Sequence, residues 1–476
     1  MTEMDQVTRA VARARAAFDQ YEFAGQEDVD RLCAHVAYAC CEPGFAREIA
    51  ELAFAETGLG RVESKVGKMG KLKLTWAQMK GVPTCGVIER DVEPGIVKYA
   101  KPVGVIGALI PVTNPELTPA LKSLWALKTR NAIVLAPHPR AAKVNARVAE
   151  RIRAVLRALS FPEDLVVALE QPSKEASQEL MGRCDLVLAT GGAPMVHAAY
   201  SSGTPTYGVG TGNAYSIVDE TCDLGETAQK IRLSKTADNA SGCSSDNGVL
   251  AYDGVYDELV SALQAEGGYL IPAGHPEKAA LQATMWSGPQ TLNPSVIAQT
   301  AHKIAGMAGI AAPEETQFLM VEEDGIGPEY PFSREKLSPV LTLYRWSRFE
   351  QAIEMVNEIT RYCGAGHSCA IHSTDEGRIE RLAERVRVAR ITVRQAHALS
   401  NSGAWTNGLK STCTLGCGTW GGSIVSENVT FEHLLNVTRV SRAIDASEPS
   451  NEQLFGAEVI RAVDALTTRI PADRYA

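Results

Sequence analysis

The chain has 476 residues, 45% hydrophobic and 22% charged, with a net charge of −9. That length supplies two or three domains, each with its own core, and an acidic balance without a run of Lys and Arg excludes a phosphate-neutralising nucleic-acid surface. No apolar run reaches the roughly eighteen residues of a membrane span, and eleven cysteines with no signal-like leader predict reduced, cytoplasmic thiols rather than a disulfide framework.

Residues 1–80 read as helical, with Val7, Ala10, Val11, Ala14 and Phe18 at helical spacing. From Gly86 to Ala100 β-branched residues alternate with polar ones, which predicts a two-stranded excursion. GVIGALIPV, Gly104–Val112, is the continuous apolar run of a strand buried on both faces. Strand and helix then alternate: ELTPALKSLWALKT as helix, NAIVLAPHP as strand, RAAKVNARVAERIRAVLRAL as helix, EDLVVALE as strand, SKEASQELMGR as helix and CDLVLAT as strand. This predicts right-handed parallel βαβ units, whose ligands sit at the carboxyl ends of strands. Those ends are PVTNP, APHPR and ATGGAP. A second α/β segment runs from about Ser234 to Glu427, with PVLTLYRW and RITVRQ as strands and SRFEQAIEMVNEIT as a helix capped by Ser347. The tail from Ser447 to Ala476 is polar, then helical, without a readable role.

Three places hold candidate chemistry. Gly191 and Gly192 in ATGGAP follow a strand and open a helix, where backbone N–H groups and the helix dipole receive a phosphate, although a Gly pair also serves a plain turn. Asn114 in PVTNP either donates to a developing oxyanion or caps the turn before Pro115. Cys243 in KTADNASGCSSDNG has small neighbours and a polar loop, so the sulfur reads as accessible and its pKa as lowered by backbone N–H groups. Cys413 with Cys417, and Cys363 with His367 and Cys369, lack the repeated CxxC pairs of a zinc site, so no metal is expected.

Several stretches then point to one family. KPVGVIGALIPVTNP, KTRNAIVLAPHPRA, ATGGAPMVHAAYSSGTPTYGVGTGN, KTADNASGCSSDN, EKLSPVL, GAGHSCAIHS and TLGCGTWGGSIVSENVTFEHLLNV occur in order over roughly residues 95–440. The chain resembles the aldehyde dehydrogenase superfamily, specifically its CoA-acylating branch. The resemblance implies an α/β fold with a Rossmann-like cofactor domain (1–81 and 101–233), an α/β catalytic domain (234–427) and a β-flap for oligomerisation (82–100 and 428–446) in a homodimer or homotetramer. It implies Cys243 as nucleophile and Asn114, with the Cys243 N–H, as oxyanion donor. Thr113, Pro137, His138, Pro139, Arg140, Gly191, Gly192 and Gly210 would surround the nicotinamide cofactor, and Glu335 would hold the nicotinamide ribose. His367 either serves as base for the CoA thiol or fixes its loop, and His138 reads as structural.

Hydrolytic members carry a glutamate in an ELGG motif that activates water. Here the aligned stretch is VGTG, with Val209 at the glutamate's place, 34 residues before Cys243. A valine abstracts no proton, so the acyl-enzyme is expected to wait for coenzyme A. Pro139 beside Arg140, in place of a ribose-binding acid, favours NADP over NAD. The C-terminal block resembles that of branch members taking small anionic aldehydes, with Lys410, Ser411, Thr412 and Thr414 as sulfonate or carboxylate donors, although Lys410 also reads as a solvated loop charge. The expected substrates are sulfoacetaldehyde, then succinate semialdehyde, then acetaldehyde or propanal. A non-catalytic assembly subunit and a hydrolytic dehydrogenase are the competing readings.

Overall fold

A computed structural model describes residues 3–467. It divides into two compact units, Met1–Gly86 with Ala100–Asn436, and Val87–Tyr99 with Val437–Ala476.

The first unit opens with five helices, Glu3–Tyr21, Gln26–Cys41, Pro43–Thr57, Val62–Met69 and Lys71–Met79. Their apolar stripes, including Val7, Ala10 and Ala14, pack against a five-stranded sheet. Its order is Val166–Ala168, Ala132–Pro137, Val105–Ile110, Leu186–Thr190 and Thr206–Val209, all parallel. Every residue of Val105–Ile110 and Ala132–Pro137 is buried, as continuous apolar runs require. From Val105–Ile110 the chain steps outward on one side, then crosses back to Leu186–Thr190 on the other. This reversal opens a crevice beyond the carboxyl ends of those two strands.

A seven-stranded parallel sheet follows, in the order Gly268–Ile271, Phe318–Glu322, Val340–Trp346, Asp246–Tyr252, Ala214–Val218, Cys369–His372 and Ile391–Val393. Ala214–Val218 lies in this second sheet, so the expected break at 233/234 falls too late in the chain. The reason is pairing: Ser216–Val218 are bracketed by Val249–Ala251 and Ala370–His372. The helix Phe349–Tyr362 has Arg348, not Ser347, at its N-cap; Ser347 instead bonds Gln351 one turn in. No helix of the described residues is long and apolar enough to cross a membrane.

The second unit holds a three-stranded sheet of Gly86–Asp91, Ile96–Pro102 and Leu435–Ser441, so the excursion has a third strand. A helix at Asn451–Thr467 follows it. The end of the expected tail, residues 468–476, lies outside the described residues.

Candidate active site

The cysteine loop is polar but not open. Asp238, Asn239, Ala240, Ser241, Ser244 and Ser245 are all buried. Asp238, Asn239 and Ala240 take φ of 49°, 53° and 57°, three successive side-chain-bearing residues in the left-handed region. Each costs on the order of 1–3 kcal/mol unless its surroundings fix it. Here Asp238 accepts the Arg61 N–H at 2.6 Å, the Ser241 hydroxyl at 2.9 Å, and Lys65 and Lys68 ammoniums at 3.2 and 2.5 Å. Asn239 donates to the carbonyls of Gly60 and Ala298, both at 3.1 Å. Opposite the nucleophile, Gly212 is obligatory: a Cβ there would lie 2.1 Å from the Cys243 carbonyl oxygen.

Cys243 is half-buried and packs against Val209, Leu415 and Cys417. Burial, with the Glu335 carboxylate adding to it, pushes the thiol up to about 12. The expectation that loop N–H groups lower its pKa is therefore corrected, because the loop is enclosed rather than solvated. His367 Nε2 lies 3.2 Å from Cys243 Sγ. Burial and the Arg390 guanidinium hold this imidazole well below its usual range. The two therefore meet as neutral thiol and neutral imidazole.

A cavity of about 890 Å³ opens over Cys243 at the crevice, lined by Thr113, Asn114, His138, Arg140, Gly191, Gly192, Val209, Gly210 and Glu335. Asn114 Oδ1 is buried without a hydrogen-bond partner among the described residues. Glu335 accepts the Gly212 N–H at 3.1 Å, and burial raises its carboxyl to about 8. Arg140 is exposed and donates to the Thr57 carbonyl at 2.6 Å. Pro137 ends its strand in the core and Pro139 is exposed, both outside the lining.

The residues expected to bind an acid group divide. Thr412 lines the cavity. Ser411 and Thr414 are buried against Thr75 and Thr190, outside the lining. Lys410 is corrected to a surface role: it is half-exposed, pairs with Glu432 at 3.4 Å and lines none of the cavity. A cation in the lining that sequence reasoning missed is Lys71, whose ammonium bonds Ser402 Oγ and has no carboxylate partner among the described residues. Burial lowers it to about 8. Lys68 shares the wall but is committed to Asp238. Nothing local distinguishes Lys71 from Lys68 or Lys73 in GKMGKLKL.

Residues 1–306 match the aldehyde dehydrogenase family. A sulfoacetaldehyde dehydrogenase (acylating) of Cupriavidus necator is 43% identical over 454 residues, 94% of this chain and 92% of the relative. An acetylating aldehyde dehydrogenase of Geobacillus thermoglucosidasius matches with a TM-score of 0.90 at 35% identity, covering 94% of this chain and 98% of that one. The propionaldehyde dehydrogenase of Rhodopseudomonas palustris, solved with bound CoA and an acylated cysteine, matches with a TM-score of 0.83 at 25% identity, covering 92% and 97%.

Proposed function

Because this chain belongs to the aldehyde dehydrogenase family and is an acylating aldehyde dehydrogenase, we propose that its substrate is sulfoacetaldehyde, oxidised reversibly to sulfoacetyl-CoA through a thioester on Cys243. The observation that carries the acid-bearing substrate is Lys71, a cation in the wall of the Cys243 cavity with no carboxylate to neutralise it. The acylating sulfoacetaldehyde dehydrogenase relative supports the sulfonate over a carboxylate.

The lining fits a nicotinamide dinucleotide. Gly191 and Gly192 present backbone at the start of the helix Ala193–Tyr200, and Thr113, His138, Arg140, Gly210 and Glu335 line the same space. Bound there, the nicotinamide supplies the hydride acceptor. NADP is preferred over NAD, supported by Arg140 at the surface beside Pro139.

Cys243 sulfur bonds to the aldehyde carbon as its proton passes to His367 Nε2. Asn114 and the Cys243 N–H hold the resulting oxyanion. Once the carbonyl is regained the acyl group stays on sulfur: Val209, Leu415 and Cys417, which pack against Cys243, carry no carboxylate to activate water, and the neighbouring His367 serves the CoA thiol. Having released the Cys243 proton to solvent, His367 accepts the proton of the incoming CoA thiol, whose sulfur takes the acyl group, and returns the proton to the departing Cys243 sulfur. The five-stranded sheet serves the cofactor and the seven-stranded sheet carries the nucleophile, and the second unit serves assembly as a homodimer or homotetramer. Eleven unpaired cysteines support a cytoplasmic setting.

The test is a panel of sulfoacetaldehyde, succinate semialdehyde and acetaldehyde with CoA and either cofactor, read by nicotinamide absorbance. Sulfoacetaldehyde is expected to give the highest kcat/KM. In Lys71→Met, the loss of a charge-assisted hydrogen bond of about 1.5–3 kcal/mol lowers that value by about tenfold or more, with acetaldehyde turnover little changed. Preference for acetaldehyde in the parent enzyme refutes the assignment.

A further inference from the structure

A second histidine lies behind His367, and the chemistry above does not use it. His367 Nδ1 is 2.7 Å from Ser368 Oγ, which is 2.8 Å from His397 Nε2. His397 Nδ1 is in turn 2.7 Å from Thr392 Oγ1. His367, Ser368 and His397 are fully buried, and Thr392 nearly so. Asn401 Nδ2 donates to Ser368 Oγ at 3.0 Å and to Ser244 Oγ at 2.9 Å, tying this chain to the residue after the nucleophile.

Proton counting limits what the chain can do. Ser368 has one hydroxyl proton and two acceptor sites, and Asn401 fills one of those sites. Of the two imidazole nitrogens facing Ser368, one must therefore donate and the other accept. If the hydroxyl proton goes to His397 Nε2, His397 carries its own proton on Nδ1, towards Thr392. His367 then carries its proton on Nδ1 and faces Cys243 with a bare Nε2. The reverse arrangement sets an N–H of His367 against a thiol sulfur, which is only a weak acceptor, and leaves the S–H proton without a base.

We propose that Ser368 and His397 are positioning residues that hold His367 in the tautomer whose Nε2 accepts the Cys243 proton. The inference rests on His367 acting as the base. In the step it serves, the S–H bond breaks and an N–H bond forms on Nε2, while sulfur bonds the carbonyl carbon and the carbonyl π pair moves to oxygen. Burial favours the neutral form of both Cys243 and His367, so the thiol proton needs an acceptor when the aldehyde arrives. The tautomer must be right before the aldehyde arrives. The charged and titratable groups facing the pair are Arg390, which donates to the His367 carbonyl at 2.9 Å, and His397, Cys417 and Glu335.

The test measures iodoacetamide alkylation of Cys243 against pH in the full-length enzyme, together with kcat and KM. Ser368→Ala and His397→Leu are expected to slow alkylation at pH 7 and to lower kcat, each by about tenfold or more, with the aldehyde KM within about twofold. Ser368→Thr restores the hydroxyl and His397→Gln restores an acceptor, so both are expected to recover most of the rate. Parental alkylation in Ser368→Ala and His397→Leu overturns the inference, as does a Ser368→Thr enzyme as slow as Ser368→Ala. His367→Ala separates the two levels: parental alkylation and kcat there refute the base itself, whereas a slow His367→Ala beside parental Ser368→Ala refutes only the positioning. Nitrogen-15 NMR of the unsubstituted enzyme needs no variant to fold. It is expected to report His367 protonated on Nδ1, and protonation on Nε2 overturns the inference.

Discussion

In the proposed mechanism, position 209 sets the fate of an acyl group on Cys243 through what its side chain lacks. Val209 is 4% exposed and lines the cavity beside the nucleophile. An aliphatic group there supplies no carboxylate to activate water, so on the proposed mechanism a thioester on Cys243 would persist until a thiol reaches it. Val209→Glu would place a carboxyl in this apolar nest, where burial raises its pKa towards neutrality. That is the range in which a general base works best, contributing about 10²- to 10⁴-fold. The expected outcome is nicotinamide reduction that proceeds without CoA, with free acid as product and a lower yield of acyl-CoA. Absorbance with and without CoA, plus a thioester assay, reads both quantities. An unchanged requirement for CoA in this variant would argue against Val209 as the block.

At the scale of the element, the left-handed turn Asp238–Ala240 delivers Cys243 to its place, and its strain is held by charge. Burial alone would raise the Asp238 carboxyl, but Lys68 and Lys65 outweigh it and hold it well below the usual carboxylate range. A folded-state pKa below the unfolded one means the unfolded chain binds the proton first as pH falls. The contribution to stability is thus fully present at neutral pH and is lost in acid. Asp238→Asn removes the charge and leaves Lys65, fully buried, facing only Glu116 at 3.6 Å. Breaking a buried pair in this way costs about 3–5 kcal/mol. The expected result is a Tm several degrees lower at pH 7, a gap that narrows at the most acidic pH at which the parent still folds, and a fall in kcat as the turn relaxes. A Tm gap independent of pH would mean that the carboxylate charge is not what holds the turn. The same turn shows where the sequence misleads. The strands Val105–Ile110 and Ala132–Pro137 are legible because a strand covered on both faces needs only a run of apolar residues. KTADNASGC reads as a solvated loop because its polar side chains are satisfied from afar: the Arg61 N–H on Asp238 is 177 residues away. Lys71 meets Ser402 across 331 residues and Ser368 meets His397 across 29. Contacts at such separations leave no periodic trace, so the polar supports of the Cys243 loop were not readable in the sequence.

At the scale of the whole molecule, the second unit buries little of its own surface. Gly86–Asp91 has no buried residue, and Leu435–Ser441 has none either. Only the central strand buries residues, Val97 and Ala100; so thinly covered a small sheet is marginal in water, and Leu435–Ser441 lies at its edge, where unpaired backbone groups invite another strand. Val440 and Ile444 are 37% and 51% exposed along that segment, and Leu454, Phe455 and Val459 are more than half exposed on the helix that follows. Apolar area of this kind gains roughly 25 cal/mol per Å² on burial, and a second copy of the same surface would supply both the apolar cover and the missing strand partner. The full chain is therefore expected to run in size-exclusion chromatography with light scattering at twice 51.1 kDa or a higher multiple. A chain ending at Asn436 keeps both parallel sheets and every cavity-lining residue but loses the edge strand and the helix, so it is expected to run as a monomer. Full-length protein at the monomer mass, or a truncated chain that still assembles, would remove the second unit from any role in assembly.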